Sequence, residues 1–213
     1  QLKTSHERYA DVFKSFGLQV DISNPSPLIK PPLTVNLTEL TKNKKSKWIG
    51  IAPFAAYEAK QYPLDLMKQV IEELSKSYNV FLFGGGKKEI EILSEIEQQN
   101  NALLSVAGKL NLSEEINLIS HLDLMIAMDS GNAHFAAMQQ VPTLTIWGAT
   151  HPYAGFAPFN QPKDYCILPD LKQYPNIPCS IYGNKICEGY EDVMRTIFPE
   201  EISKKATSVI DQK

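Results

Sequence analysis

The sequence has no apolar run longer than a handful of residues, no excess of positive charge and only three cysteines. The first absence leaves nothing to span a bilayer. With 21 basic against 24 acidic residues and a net charge of −3, there is no electrostatic reason to expect nucleic acid, which wants a basic face. Cys166, Cys179 and Cys187 are too few for a disulfide framework, and no ligand set has the spacing of a structural zinc site. Cys179 and Cys187 share a loop-like stretch with Pro178 and Gly183 and can pair under oxidising conditions. Free thiols in a reducing cytoplasm are the default expectation. The amino-terminal QLKTSHER is no signal peptide, and the missing initiator methionine reads as a processed or trimmed chain. G-x-S-x-G, H-E-x-x-H and a Cys/His dyad with an orienting partner are also absent.

What is present is globular. A chain of 213 residues with 43% hydrophobic and 21% charged residues suits one domain with appendages. Residues 6–17 place Tyr9, Val12, Phe13 and Phe16 at helical spacing before Gly17. Residues 18–46 change character, with Pro25, Pro27, Pro31 and Pro32 ahead of the basic run TKNKKSK, and predict an extended connector between two bodies. From Trp48 the pattern alternates. WIGIA, VFLF, Leu103 to Val106, LDLMIAM and TLTIW read as strands. Helices follow Pro63, the glycine turn 84–86, Ser113 as a cap, and Gly131. Near-continuous apolar strands alternating with helices predict a Rossmann-like, doubly wound parallel sheet. Beyond Gly148 the chain is loop-rich, with tail helices expected near 188–198 and 200–210.

Ligands of such sheets bind at the carboxyl ends of the strands, where helix amino termini point. Lys60, just before the helix that follows the first strand, can meet an anion there, or it can be a solvated surface lysine. Gly84, Gly85 and Gly86 fit close approach of a ligand or a tight turn equally well; they match neither G-x-G-x-x-G nor a Walker A loop. Glu89 can accept from ribose hydroxyls or serve as a favourable charge at a helix start. In AMDSGNAH, Asp129 can take sugar hydroxyls and Gly131 lets the backbone approach a diphosphate, with His134 one turn inside. The alternative is that Asp129 or Ser130 only caps the helix and His134 is a core residue. His151 is expected to be a turn histidine. These places share one edge of the predicted sheet, which favours a nucleotide-diphosphate ligand over any single-motif explanation.

The segment Asp129-Ser-Gly-Asn-Ala-His134 resembles the D-[ST]-G-x-x-H motif of glycosyltransferase family 9, the heptosyltransferases of lipopolysaccharide synthesis. Lys60-Gln-Tyr-Pro63 resembles that family's K-x-W-P element, and the glycine turn, Gly108-Lys-Leu-Asn-Leu-Ser113 and Thr145-Ile-Trp-Gly-Ala-Thr150 follow in its order. The likeness covers Trp48 to Phe159, with a weaker echo through Cys179 and Cys187. It implies the second half of a two-Rossmann-domain, B-type glycosyltransferase: a helix remnant and connector at 1–46 and a nucleotide-sugar-binding domain at 47–213. Lys60 would contact donor phosphates and Glu89 the ribose, while Leu110 would border the base or sugar. Asp129 would bind sugar hydroxyls, and Ser130, Gly131 and His134 would line the diphosphate pocket.

The implied reaction is inverting, metal-independent transfer from a donor such as ADP-heptose to a glycan or glycolipid hydroxyl, with no cofactor. It would take place in the cytoplasm, at the inner face of the membrane if the full-length enzyme associates peripherally. The general base would lie in an N-terminal domain absent from this chain, which alone is expected to transfer nothing. Ala55 and Ala56 stand where some members have hydroxyls, and Tyr62 replaces the tryptophan, so the donor's identity stays open. A non-catalytic nucleotide-sugar module, a subunit of a split enzyme, a hexose transferase and an epimerase are the alternatives.

Overall fold

In a computed structural model, residues 1–212 are described apart from 24, 27, 45 and 46, so Pro27 and part of the basic run lie outside the described residues. The apolar runs form β1 (Trp48–Ala52), β2 (Asn79–Leu82), β3 (Leu103–Ser105), β4 (Leu124–Met128) and β5 (Thr143–Ile146). A sixth strand, β6 (Cys166–Ile167), was not legible in the sequence because two half-buried residues carry no periodic pattern. Among the described residues these make one sheet of order β3-β2-β1-β4-β5-β6, parallel at every pairing. Ile51 sits between Leu82 and Ile126 in register, at the centre of the sheet.

Successive residues of each strand point to opposite layers. Ile49, Ile51, Val80, Leu82, Leu124 and Ile126 face α3 (Leu64–Ser75), α4 (Lys87–Glu97) and α7 (Pro199–Asp211). Phe81, Phe83, Met125 and Ala127 face α5 (Leu112–Ser120) and α6 (Gly131–Met138). Gly50 faces this second layer, where a Cβ would lie 2.5 Å from Leu122 Cδ1 and 3.0 Å from Met125 Cε. Any side chain there would force the sheet and Leu122 apart.

Four local expectations are corrected. The connector contains a helix, α2 (Val35–Thr41): Pro32 ends the extended run, and Thr34 caps the helix by accepting from the Leu37 amide at 3.3 Å. Leu37 is fully buried in the second layer, so this stretch belongs to the core. Its proline-rich approach is held by side chains of α5 and the turn after it. Asn117 Nδ2 donates to Pro32 O at 3.2 Å, and the His121 ring nitrogen lies 2.8 Å from Pro31 O.

Asn111, not Ser113, caps α5, in a reciprocal pair with Glu114. Replacing Asn111 with alanine should cost about 0.5–2 kcal/mol, read as a lower urea midpoint at unchanged slope. The helix expected at 188–198 is only a 3-10 turn, Val193–Thr196, because Gly189 has φ +78° and Pro199 holds Phe198 extended. Finally, Cys179 and Cys187 are joined in a disulfide, not free. The Cys179 amide donates to Ala149 O at 2.9 Å and the chain reverses at Gly183, φ +75°, which returns Cys187 to its partner.

The first helix, α1 (Ser5–Ser15), docks on the loop after β5 through Leu2 N to Tyr153 O and Ser5 N to Gly155 O, at 2.9 and 2.8 Å. None of its own residues is buried, and Tyr9, Val12, Phe13 and Phe16 all face solvent.

Candidate functional site

The strand order reverses between β1 and β4, and a crevice opens there at their carboxyl ends. This cleft of about 370 Å³ is lined by Ala52, Phe54, Ala55 and Ala56 after β1, by Phe83, Gly84, Gly85 and Glu89 after β2, and by Ser130, Gly131 and Asn132 at the start of α6. Glu115 closes it from α5. Of the residues singled out from the sequence, the fold brings Gly84, Gly85, Glu89, Ser130 and Gly131 to this one cleft.

Gly131 starts α6 with open space where a Cβ would stand, Phe135 alone coming as near as 4.0 Å. Packing therefore does not demand glycine there, and the helix amides are left approachable. Ser130 is in the capping position, but its side chain makes no capping bond and its buried hydroxyl has no hydrogen-bond partner. The helix-cap reading of Asp129 and Ser130 is thus not what the geometry uses. The other glycine turn is different. Gly86 has φ +80°, and a Cβ on Gly84 would meet Leu93 Cδ1 at 2.9 Å, so turn geometry accounts for the first and close packing for the second. Glu89 accepts from the Gly85 amide at 2.7 Å and holds the turn while still lining the cleft.

Beside the cleft, Lys60 and Asp129 are brought together. Lys60, in the 3-10 turn Glu58–Lys60, places Nζ 2.7 Å from Asp129 Oδ2, with side-chain exposures of 14% and 8%. Lys60 is therefore no solvated surface lysine. A pair this dry costs desolvation that an ordinary surface bridge does not. His134 lies one turn into α6, where its ring is 6.4 Å from that of His6, which itself sits 5.0 Å from Phe159. Leu110 is set apart from the cleft and packs on the second apolar layer. His151 is a turn histidine, as expected: it is 5% exposed and accepts from the Tyr153 amide at 3.0 Å. Among the described residues no group of three His, Cys, Asp or Glu side chains is placed to hold a metal.

Two site residues escaped the sequence reading. Glu115 carried only a first-turn signal, yet burial raises its pKa at the cleft wall. His6 lies far away in sequence and reaches His134 only because α1 docks on the loop after β5.

Burial lowers the pKa of His6, His134 and His151 from the ordinary 6.5; at His134, Asp129 opposes this while His6 and Lys60 reinforce it. A histidine lowered in the fold supplies stability that is present above its ordinary value and lost as pH falls through the folded value. Unfolding free energy from urea titrations should therefore drop between about pH 7.5 and pH 5, and His134→Gln should flatten that drop. An unchanged pH dependence in the variant would remove His134 from this account.

With this geometry in place, sequence comparison is decisive: residues 4–180 match the model of glycosyltransferase family 9 (heptosyltransferase). The chain belongs to glycosyltransferase family 9. It is 27% identical over 204 residues to lipooligosaccharide heptosyltransferase 2 of Campylobacter jejuni, covering 93% of this chain and 58% of that protein. In fold it is similar to the E. coli ADP-heptose lipopolysaccharide heptosyltransferase II, with TM-score 0.68 and 21% identity over 99% of this chain and 62% of that one. An E. coli heptosyltransferase solved with ADP gives TM-score 0.63 at 13% identity, over 98% of this chain and 57% of that one. The family 9 chain thus spans somewhat more than half the length of these relatives.

Within the family frame, Tyr62 stands in the K-x-W-P element as a core residue. It is 1% exposed, its hydroxyl donates to Ile197 O at 2.6 Å, and burial pushes its pKa up.

Proposed function

We propose that this chain is the donor-binding half of a heptosyltransferase-like enzyme of lipopolysaccharide core synthesis, and that it binds a nucleotide-diphosphate sugar such as ADP-heptose. The observation that carries the reading is the Lys60–Asp129 pair, whose carboxylate immediately precedes Ser130 and Gly131 on the wall of the switch-point cleft. In this reading the diphosphate lies against the α6 amino terminus, with Lys60 and the free Ser130 hydroxyl as its donors. Glu89 and Glu115 offer acceptors to ribose hydroxyls or the base, and Asp129 turns from Lys60 to the sugar hydroxyls. His134 backs the diphosphate pocket, and Leu110, packed on the second apolar layer away from the cleft, has no part in this reading.

The acceptor hydroxyl attacks the anomeric carbon from the face opposite the diphosphate. The bond from that carbon to the diphosphate oxygen breaks and the configuration inverts. Lys60 and the helix dipole take up the charge of the departing ADP, the task a divalent cation performs in metal-dependent transferases. The hydroxyl proton passes to a carboxylate of a second domain like the one that completes the relatives' length. Residues 1–34 are then the end of that domain and its connector, while α2 belongs to the donor-binding core. The exposed apolar face of α1 supports this, as a surface that a further domain covers. No helix among the described residues is long and apolar enough to cross a membrane. In the proposed reading the enzyme works in the cytoplasm, where peripheral membrane association would bring it to a glycolipid acceptor.

Calorimetry of the chain against ADP, UDP and GDP tests the donor. ADP should bind at least about tenfold more tightly than the others. Preference for UDP would point instead to a hexose transferase or an epimerase, and indifference to all three would refute the donor site. Transfer by the full-length enzyme should survive a chelator such as EDTA; its loss would assign the diphosphate charge to a metal.

A further inference from the structure

Lys60 is not held by Asp129 alone. The loop closed by Cys179 and Cys187 lies over its aliphatic stem: a Cβ on Gly183 would overlap Lys60 Cγ and Cδ and come 3.1 Å from Thr150 Cγ2. The backbone of Gly183 thus rests on the methylenes of Lys60, with no room for a methyl group. The loop is itself anchored at several points. The Cys179 amide donates to Ala149 O, and the Ala149 amide donates to Ala59 O, at 2.9 and 3.1 Å, which ties the loop to the turn that carries Lys60. Ser180 Oγ accepts from the Gly183 amide at 2.9 Å and donates to Asn184 Oδ1 at 2.7 Å, bracing the tip. The disulfide then closes this nine-residue span on itself.

The consequence is geometric. A lysine has about four rotatable bonds and strong freedom to swing into water. Here the stem is covered from one side by Gly183 and the ammonium is drawn from the other by Asp129, leaving Lys60 only 14% exposed. We propose that the disulfide-closed loop 179–187, through Gly183, is a positioning element that holds Lys60 extended toward Asp129 and the start of α6. It presets the ammonium for a diphosphate without touching the ligand. The inference rests on Lys60 being the phosphate-binding lysine of the donor site.

The full-length protein carrying Gly183→Ala, and separately the Cys179→Ser/Cys187→Ser pair, is titrated with ADP and with adenosine. Each should weaken ADP by about tenfold and leave adenosine within about twofold, because only the diphosphate meets Lys60. A merely structural loop would weaken both ligands together or neither. In a Lys60→Met background, which keeps the stem and removes the charge, Gly183→Ala should have no further effect on ADP. If Lys60→Met alone leaves ADP binding unchanged, the donor-site reading fails and this inference with it. If Lys60→Met weakens ADP while both loop variants bind it normally, the positioning role is overturned and the donor site stands. Should Gly183→Ala fold poorly, because φ +75° disfavours alanine, the serine pair carries the same test with the backbone residue intact.

Discussion

Replacing Lys60 with methionine is expected to weaken ADP-heptose binding roughly ten- to hundredfold, corresponding to about 1–3 kcal/mol. Methionine keeps the stem under Gly183 and deletes only the charge, so the loss reports the ammonium itself. The same change strands Asp129, at 8% side-chain exposure, without its cation. Breaking a buried pair on one side costs about 3–5 kcal/mol where the survivor is fully dry, and somewhat less where water still reaches the site.

Asp129→Ala makes the complementary measurement. It should weaken the sugar conjugate while ADP, which lacks the sugar, is spared or bound more tightly after a nearby negative charge is removed. Isothermal titration with ADP and ADP-heptose reads both variants. Equal, unchanged affinities would assign the pair a purely structural role.

The second large effect concerns stability. Leu37→Ala should destabilise the chain by about 2–5 kcal/mol, since it removes a fully buried side chain of the second layer. Phe13→Ala, on the exposed face of α1, should change it by less than about 0.5 kcal/mol in the same chain. Urea unfolding of the two variants side by side checks this. A Leu37 variant as stable as the Phe13 variant would return residues 35–41 to the status of a loose connector. A large cost at Phe13 would show that α1 finds a cover within the chain, which would remove the support that its exposed face lends to a second domain.

The strands and helices from Trp48 to Met138 were legible because each carries its own period and its own stop: apolar runs, Pro63, the glycine turn, Gly131. Family membership was legible in the same span, because Asp129 to His134 and Lys60 to Pro63 are contiguous motifs. The segments read wrongly were those whose shape depends on distant partners. Residues 35–41 looked like connector because prolines precede them; they fold because Asn117 and His121 hold that proline run and Leu37 finds the core. Cys179 and Cys187 looked like free thiols because the composition offered no framework; they pair because the Ala149 carbonyl and the turn at Gly183 bring them together.

By itself the sequence determined the alternation of strands and helices and, through the resemblance of its contiguous motifs, the family; Lys60, Asp129, Ser130 and Gly131 it offered only as candidates. Local periodicity suffices for the first and short contiguous motifs for the second. Only the tertiary structure decided that Lys60 and Asp129 neutralise each other, that Ser130 stays unbonded, that His6 reaches His134, and that Gly183 covers the lysine stem. Those are contacts between residues far apart along the chain. Their distances are set by how the sheet twists and the loops close over it, and no local pattern encodes them.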